Sequence, residues 1–304
     1  MRTEPLAPAV SSSRLSSVYL AIRAYITLTK PRIMLLLVFT AYCAMAVAQG
    51  RLPGLGLTVA TLIGLAFAAG GAAAINMWYD RDIDPIMHRT AGRPLPTGVV
   101  TPNQALCFGI GLGIASFVEL SIFVNFASAW LAVAGYIYYA VIYTMLLKRR
   151  TPQNIVIGGG AGGFPPLVGW AAVAGHLSFA AIALFGIIFL WTPGHFWALA
   201  LYKNDDYKRA HIPMMPVVRG PQSTKRQMVA YTVLLLALSI ALYFSGYVGE
   251  LYLWTSTLLG VIFLVSNIIL KFQPDDKLVW AKRTFVCSLI YLPIVFVAMI
   301  PHLF

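Results

Sequence analysis

Residues 57–75 read LTVATLIGLAFAAGGAAAI, 19 residues with neither a charge nor a proline. As a helix this run is about 28 Å long, close to the ~30 Å hydrocarbon thickness of a bilayer. Eight other runs in the chain share its length and character. Such a chain must satisfy its backbone hydrogen bonds inside lipid, where only helices and closed barrels do so. The runs are continuously apolar rather than alternating, which selects helices over barrel strands. Composition agrees: 59% of the 304 residues are hydrophobic and 11% charged, against roughly 25% charged in soluble chains. The expected fold is all-α, a polytopic bundle of nine transmembrane helices forming one domain over 1–304. The spans fall at about 30–49, 55–77, 102–121, 124–147, 154–174, 178–201, 227–247, 251–270 and 284–303. Residues 1–25, with no compact apolar core and no small-residue cleavage site, read as a short cytosolic lead-in.

Nine spans fix an orientation. With the N-terminus inside, 21 of the 22 Lys and Arg fall on the inner side and only Arg51 falls outside, as positive charge does around cytoplasmic loops. The net charge of +12 is therefore a topology signal, and no nucleic acid is implied. A compact chain without a long leader is expected in a bacterial inner membrane, with a mitochondrial inner membrane as the alternative. The three cysteines, Cys43, Cys107 and Cys287, lie far apart in apolar runs. Their spacing suggests neither a disulfide framework nor a zinc site.

Most connections are short. Two, 78–101 and 202–226, are long, polar and on the inner side, and hold five of the ten acidic residues. The first follows the apolar run quoted above and reads NMWYDRDIDPIMHRTAGRPLP over 76–96. Asn76, Asp80 and Asp84 stand at i, i+4 and i+8, a spacing that keeps all three on one helix face while Asp82 points away. Two carboxylates and an amide one turn apart can share a hard cation such as Mg²⁺, which takes oxygen ligands and substrate phosphates. Arg89 and Arg93 follow, and guanidinium forks suit phosphate oxygens. A diphosphate head with a long hydrocarbon tail, such as an isoprenyl diphosphate, fits a charged mouth on an apolar bundle. A solvated mixed-charge loop is the bland alternative, but an amide inside the last turn of a span needs a partner within the bundle. The second loop reads YKNDDYKRAHIPMMP and parallels the first, with a Tyr, clustered Asp, then bases, then two prolines.

The pattern N-x-x-x-D-x-x-x-D after the second span, followed by R-x-x-x-R-P-L, resembles the intramembrane UbiA-type prenyltransferase superfamily. That resemblance extends over nearly the whole chain and implies nine helices, Mg²⁺ and transfer of an isoprenyl group from its diphosphate. Within the superfamily, TKPR (29–32), MHRTAGRPLP (87–96), KRRTPQNIVIGGGAGGFPPLVGW (148–170) and WTPGHFWALALYKNDDYKRAHIPMMPVV (191–218) are similar to the branch that farnesylates haem. The quinone-pathway D-x-x-x-D motif is missing from the second loop. The resemblance thus implies farnesyl diphosphate and haem B as substrates, joined with addition of water to give haem O and diphosphate. A haem A synthase or an oxidase assembly protein enters as an expected partner on the same ground, beside the lipid bilayer. Two positions depart from the branch: Gly194 stands where Pro is expected, and His211 where Gly is expected.

On this reading Asn76, Asp80 and Asp84 hold Mg²⁺, and Asp205 and Asp206 complete its shell or hold a second ion. Arg89, Arg93, Lys148, Lys203 and Arg209, with Tyr202, are the expected diphosphate contacts. Tyr79 reads equally well as such a contact or as an interfacial aromatic. His195, inside the sixth span, is expected to ligate haem iron, bind a propionate or position water, the alternative being a core histidine bonded to a carbonyl. His88 reads as solvated, and His176 and His302 as remote. GGGAGGFPP (158–166) lacks the GK[ST] of a phosphate loop and reads as close helix packing, with room for a flat porphyrin as the other reading. Two competing functions remain. One is prenylation of a quinone or chlorophyll precursor. The other is transport, which usually needs polar groups near mid-bilayer, whereas here the charges crowd one side.

Overall fold

The computed structural model describes residues 11–275 and 279–300. Arg2, Lys277 and His302 lie outside the described residues. The elements are helices α1 Ser11–Leu28, α2 Pro31–Gln49, α3 Leu55–Tyr79, α4 Pro102–Phe123, α5 Phe126–Ile137, α6 Asn154–Gly158, α7 Phe164–Ala174, α8 Phe179–Tyr202, α9 Asn204–Arg209, α10 Met215–Val218, α11 Gly220–Tyr243, α12 Glu250–Phe272 and α13 Val279–Ala298. No strand occurs among the described residues. Nine helical segments there are long and apolar enough to cross a membrane. The chain is thus an all-helical, multi-pass membrane protein. The segment expected as a lead-in is helical from Ser11; it rests on the bundle through Ala24 and Leu28 and leaves Val18, Tyr19, Leu20 and Ile22 exposed.

Seven spans lie near their expected bounds. The seventh begins at Gly220 rather than 227, and the ninth at Val279 rather than 284. Both extend at their N-terminal ends because Lys225, Lys282 and Arg283 are carried within the first two helical turns there. A lysine or arginine at a span's end reaches the interface with its long stem, so charge did not mark the true helix start. Lys225 also has a protein partner: its ammonium donates to the Gln273 carbonyl and to Asp275, each at 2.7 Å.

Helices that cross in lipid approach through small residues. α3 lies along α4, where Ser116 Oγ donates to the Gly64 carbonyl at 2.6 Å. α2 lies along α7, where a Cβ on Gly169 would stand 2.2 Å from the Ala41 carbonyl oxygen. Gly159–Gly163 is a 3₁₀ interruption between α6, which ends at Gly158, and α7. Cβ atoms there would meet Tyr143 at Gly158 and Thr192 at Gly159. Those glycines bring α8 and the end of the fourth span against the same segment, so the packing reading accounts for them.

The fourth span does not stay α-helical. From Tyr138 to Leu147 it continues as a π-helix. Wider turns of this kind mark functional positions in helices. Here the widened turns project Tyr139, Thr144 and Lys148 toward the end of α3.

Candidate active site

Asn76 lies in the last turn of its helix. α3 stops at Tyr79, and the chain goes on as two short 3₁₀ turns, Asp80–Asp82 and Asp84–Ile86. Pro85 contributes no N–H and disfavours α geometry before it. A continuous i, i+4, i+8 face was expected; the helix in fact ends between the first and second of these residues. Even so, Asn76, Asp80 and Asp84 are all buried, at 3%, 0% and 1% exposure. Asp82 turns outward as expected, where both carboxylate oxygens accept from Arg149 at 2.7 Å.

The three inward groups sit in a dense network. Asn76 Nδ2 donates to Asp80 Oδ2 at 2.9 Å and to Thr144 Oγ1 at 3.1 Å. Its Oδ1 accepts from Lys30 Nζ at 2.5 Å, and Lys30 also donates to the Tyr139 hydroxyl at 3.0 Å. Lys148 donates to Asp80 Oδ2. Arg149 stands 3.5 Å from Asp80 Oδ1, yet that oxygen is buried and accepts no hydrogen bond. Arg93 Nη1 donates to both oxygens of Asp84 at 2.8 Å. Thr90 Oγ1 closes the loop onto the Asp84 carbonyl at 2.8 Å.

Crowded bases repel one another and lose solvent, which disfavours their charged forms. Lys30 is pushed down to about 7, first by burial of its ammonium and then by Arg93, with Asp80 and Asp84 pulling the other way. Lys148 is lowered chiefly by burial, against the pull of Asp80. Arg149 is raised, first by its hydrogen bonds to Asp82.

The second polar loop joins the site differently from expectation. Asp206 pairs with Arg209 three residues on, and Asp205 is exposed. Among the described residues no three acids, histidines or cysteines converge to hold a metal ion. Tyr202 and Lys203 are exposed, the ammonium lying 4.8 Å over the Tyr202 ring. The loop buries Tyr207, in an apolar cluster with Ile83 and Met87 of the first loop and Ile212, Met214 and Met215 of the second. The two loops therefore hold each other by apolar contact. Burial raises the Tyr207 hydroxyl, and Arg89 lowers it, so this exposed arginine acts on the same region. His211 lies in this loop with φ +51°. This is the left-handed conformation that glycine adopts without cost and histidine tolerates better than most residues.

His195 lies apart from the acids. It is 8% exposed, stacked between Trp191 at 4.3 Å and Phe285 at 4.8 Å. Its Nδ1 is 2.7 Å from Ser288 Oγ. Ser288 Oγ also donates to the Phe285 carbonyl at 2.6 Å. A hydroxyl has one proton, so Nδ1 carries the hydrogen and Nε2 keeps its lone pair. The neighbour is thus a hydroxyl on α13 rather than the carbonyl of the bland reading. Gly194 beside it has no room for a ring: a Cβ would stand 2.9 Å from Phe263. Tyr79 is held under the Arg149 guanidinium at 4.6 Å and serves as an anchor for that base. His88 is exposed, and His176 Nδ1 bonds the nearby Ala174 carbonyl at 2.8 Å.

Lys30, Tyr139, Thr144, Arg149 and Tyr207 thus complete the site and were not singled out from sequence. The signals for Lys30 and Arg149 were present, in TKPR and KRRTPQN, but nothing in spacing connects residue 30 with residue 76. The donor set fits a hard divalent cation. It offers the orphaned Asp80 Oδ1, a second buried carboxylate and an amide oxygen, all oxygen ligands of the kind Mg²⁺ takes.

Residues 37–290 match the model of the UbiA prenyltransferase family. A protoheme IX farnesyltransferase of Symbiobacterium thermophilum is 54% identical over 278 residues, 91% of this chain and 93% of that one. A protoheme IX farnesyltransferase of Agrobacterium fabrum is 48% identical, over 90% of this chain and 87% of its own length. Among solved structures, one described for digeranylgeranylglyceryl phosphate synthase superposes with a TM-score of 0.77 at 20% identity, over 92% of this chain and 97% of that one. A UbiA homologue from Archaeoglobus fulgidus bound to DMAPP and Mg²⁺ gives 0.64 at 19% identity, over 92% of this chain and all of that one. The nine spans, the buried Asn76, Asp80 and Asp84 cluster and the match over residues 37–290 agree: this chain belongs to the UbiA prenyltransferase family.

Proposed function

We propose that the protein is a protohaem IX farnesyltransferase, converting haem B, farnesyl diphosphate and water to haem O and diphosphate. The observation that carries the choice of acceptor is near-half identity, over nine-tenths of the chain, with relatives bearing that name. The site supports the donor half of the reaction. Asn76, Asp80 and Asp84 would hold Mg²⁺, which neutralises the departing diphosphate when bound. Arg93, Lys148 and Arg149 surround them and supply positive charge where the leaving group develops its own. Arg89 stands at the rim and meets the diphosphate as it enters.

In the reaction the C1–O bond of farnesyl diphosphate breaks and diphosphate leaves with the electron pair. The vinyl π pair bonds to C1, water adds to the carbon next to the porphyrin, and a proton is lost. The two loops sealed by Tyr207, Met87 and Ile83 keep bulk water from the allylic cation. We assign His195 to the acceptor half, because its partners lie on α13 and its unprotonated Nε2 suits iron or an ordered water. Asp205 and Asp206 are given no metal, and the second loop the work of cover. The N-terminus and both polar loops are placed on the cytoplasmic side of a bacterial inner membrane.

An acceptor panel tests this. Membranes carrying the protein receive labelled farnesyl diphosphate and Mg²⁺ with haem B, 4-hydroxybenzoate or chlorophyllide. Label moving to haem alone supports the reading. Label on a quinone or chlorophyll precursor, and none on haem, replaces it with a sister activity.

A further inference from the structure

Each candidate metal donor is already closed by a base: Asp84 by Arg93, Asp80 by Lys148, Asn76 by Lys30. The first two are ion pairs. The third is not, since Asn76 is neutral. Among the described residues no carboxylate lies within 4 Å of the Lys30 ammonium. Its partners are an amide oxygen, a phenol and, at 5.4 Å, the Tyr139 ring. An inward-pointing ammonium with only neutral partners is under-compensated. A second observation is independent of the first. Lys30 has φ +52° at the junction of α1 and α2, a conformation that costs a non-glycine residue energy. Strain of this kind persists where surrounding structure imposes it. Here the left-handed turn starts α2 and aims the side chain at residues 76 and 139.

We propose that Lys30 is a diphosphate-binding residue that waits on the metal site. Before substrate, its ammonium occupies Asn76 Oδ1, an oxygen a divalent cation needs. When cation and diphosphate enter, it transfers from the amide to a diphosphate oxygen and leaves Asn76 to the metal. This rests on the reading of Asn76, Asp80 and Asp84 as the metal site. Its consequence is that metal and diphosphate each bind poorly alone and well together. The coupling must be equal in both directions.

The test uses the full chain in nanodiscs, Mn²⁺ followed by electron paramagnetic resonance, and inorganic diphosphate. Wild-type protein is expected to bind Mn²⁺ at least about tenfold more tightly with diphosphate present, within the usual range of coupling. Lys30→Met removes the competing charge, so Mn²⁺ alone binds more tightly than to wild type. Diphosphate in the presence of Mn²⁺ binds about tenfold to a hundredfold more weakly, the size of one charge-assisted hydrogen bond. Lys30→Arg keeps the charge and is expected to keep the coupling; Lys30→Gln repeats the neutral substitution should the methionine variant not fold. A merely structural lysine would weaken both ligands together. Parallel weakening in the neutral variants, or no change in either ligand, overturns the proposal while wild-type Mn²⁺ binding leaves the metal reading standing. Wild-type protein that binds no Mn²⁺ with or without diphosphate overturns the metal reading itself.

Discussion

Asp80→Asn separates what the carboxylate does for the fold from what it does for the reaction. Asp80 is fully buried, between Asn76, Lys148 and Arg149. Neutralising it strands the Lys148 charge. Breaking a buried pair costs about 3–5 kcal/mol. The Lys148 side chain keeps 17% of its exposure, so some solvent reaches it and the lower end applies, about 3 kcal/mol. In a chain of this size that is a fall of about 6 °C in melting temperature. Asp80→Asn combined with Lys148→Met removes both charges and should recover most of that loss, since a neutral pair of similar shape costs little. Farnesyl transfer should be at least a hundredfold down, by order of magnitude, in the single and the double variant alike. Unfolding followed by tryptophan fluorescence in detergent and transfer of labelled farnesyl give the two readouts. A double variant that regains turnover would refute the reasoning, because Asp80 would then act only as an anchor for Lys148.

Three further outcomes are expected. Gly169→Ala would drive a Cβ to 2.2 Å from the Ala41 carbonyl oxygen; backbone cannot yield as a side chain can, so about 3 kcal/mol is lost, or folded protein fails to accumulate in membranes. His211→Gly relieves the left-handed φ of +51° and should raise stability by about 0.5–1 kcal/mol with turnover unchanged, read as a melting shift of a degree or two. His195→Ala empties a slot between Trp191 and Phe285 and costs about 1–3 kcal/mol. It should impair transfer to haem while farnesyl diphosphate affinity, measured by equilibrium dialysis, stays within about twofold; equal loss of that affinity would move His195 to the diphosphate.

The bundle was legible because lipid leaves the chain few choices. Each apolar run long enough to span had to be a helix. Asn76, Asp80 and Asp84 were legible as a set, although the helix that suggested them ends at Tyr79. The sequence spacing was right about which groups turn inward and wrong about the backbone that turns them. Lys30, Tyr139 and Thr144 could not be read because their meeting with Asn76 is tertiary. The π turns of 138–147 leave no mark in an apolar run, since every residue there suits lipid or core alike. The packing of the second loop was hidden for a related reason. Its acids drew attention, while Tyr207, Met214 and Met215 make the contact with the first loop.

On the proposed function, this bundle farnesylates a haem vinyl group with the help of a divalent cation. The most direct measurement incubates membranes with haem B, farnesyl diphosphate and Mg²⁺, with and without chelator, and weighs the extracted haems by mass spectrometry. The expected product is a new, more hydrophobic haem heavier by farnesyl plus hydroxyl, absent when chelator is present and absent with Asp80→Asn. An unchanged haem B, from protein shown to bind farnesyl diphosphate, would contradict it.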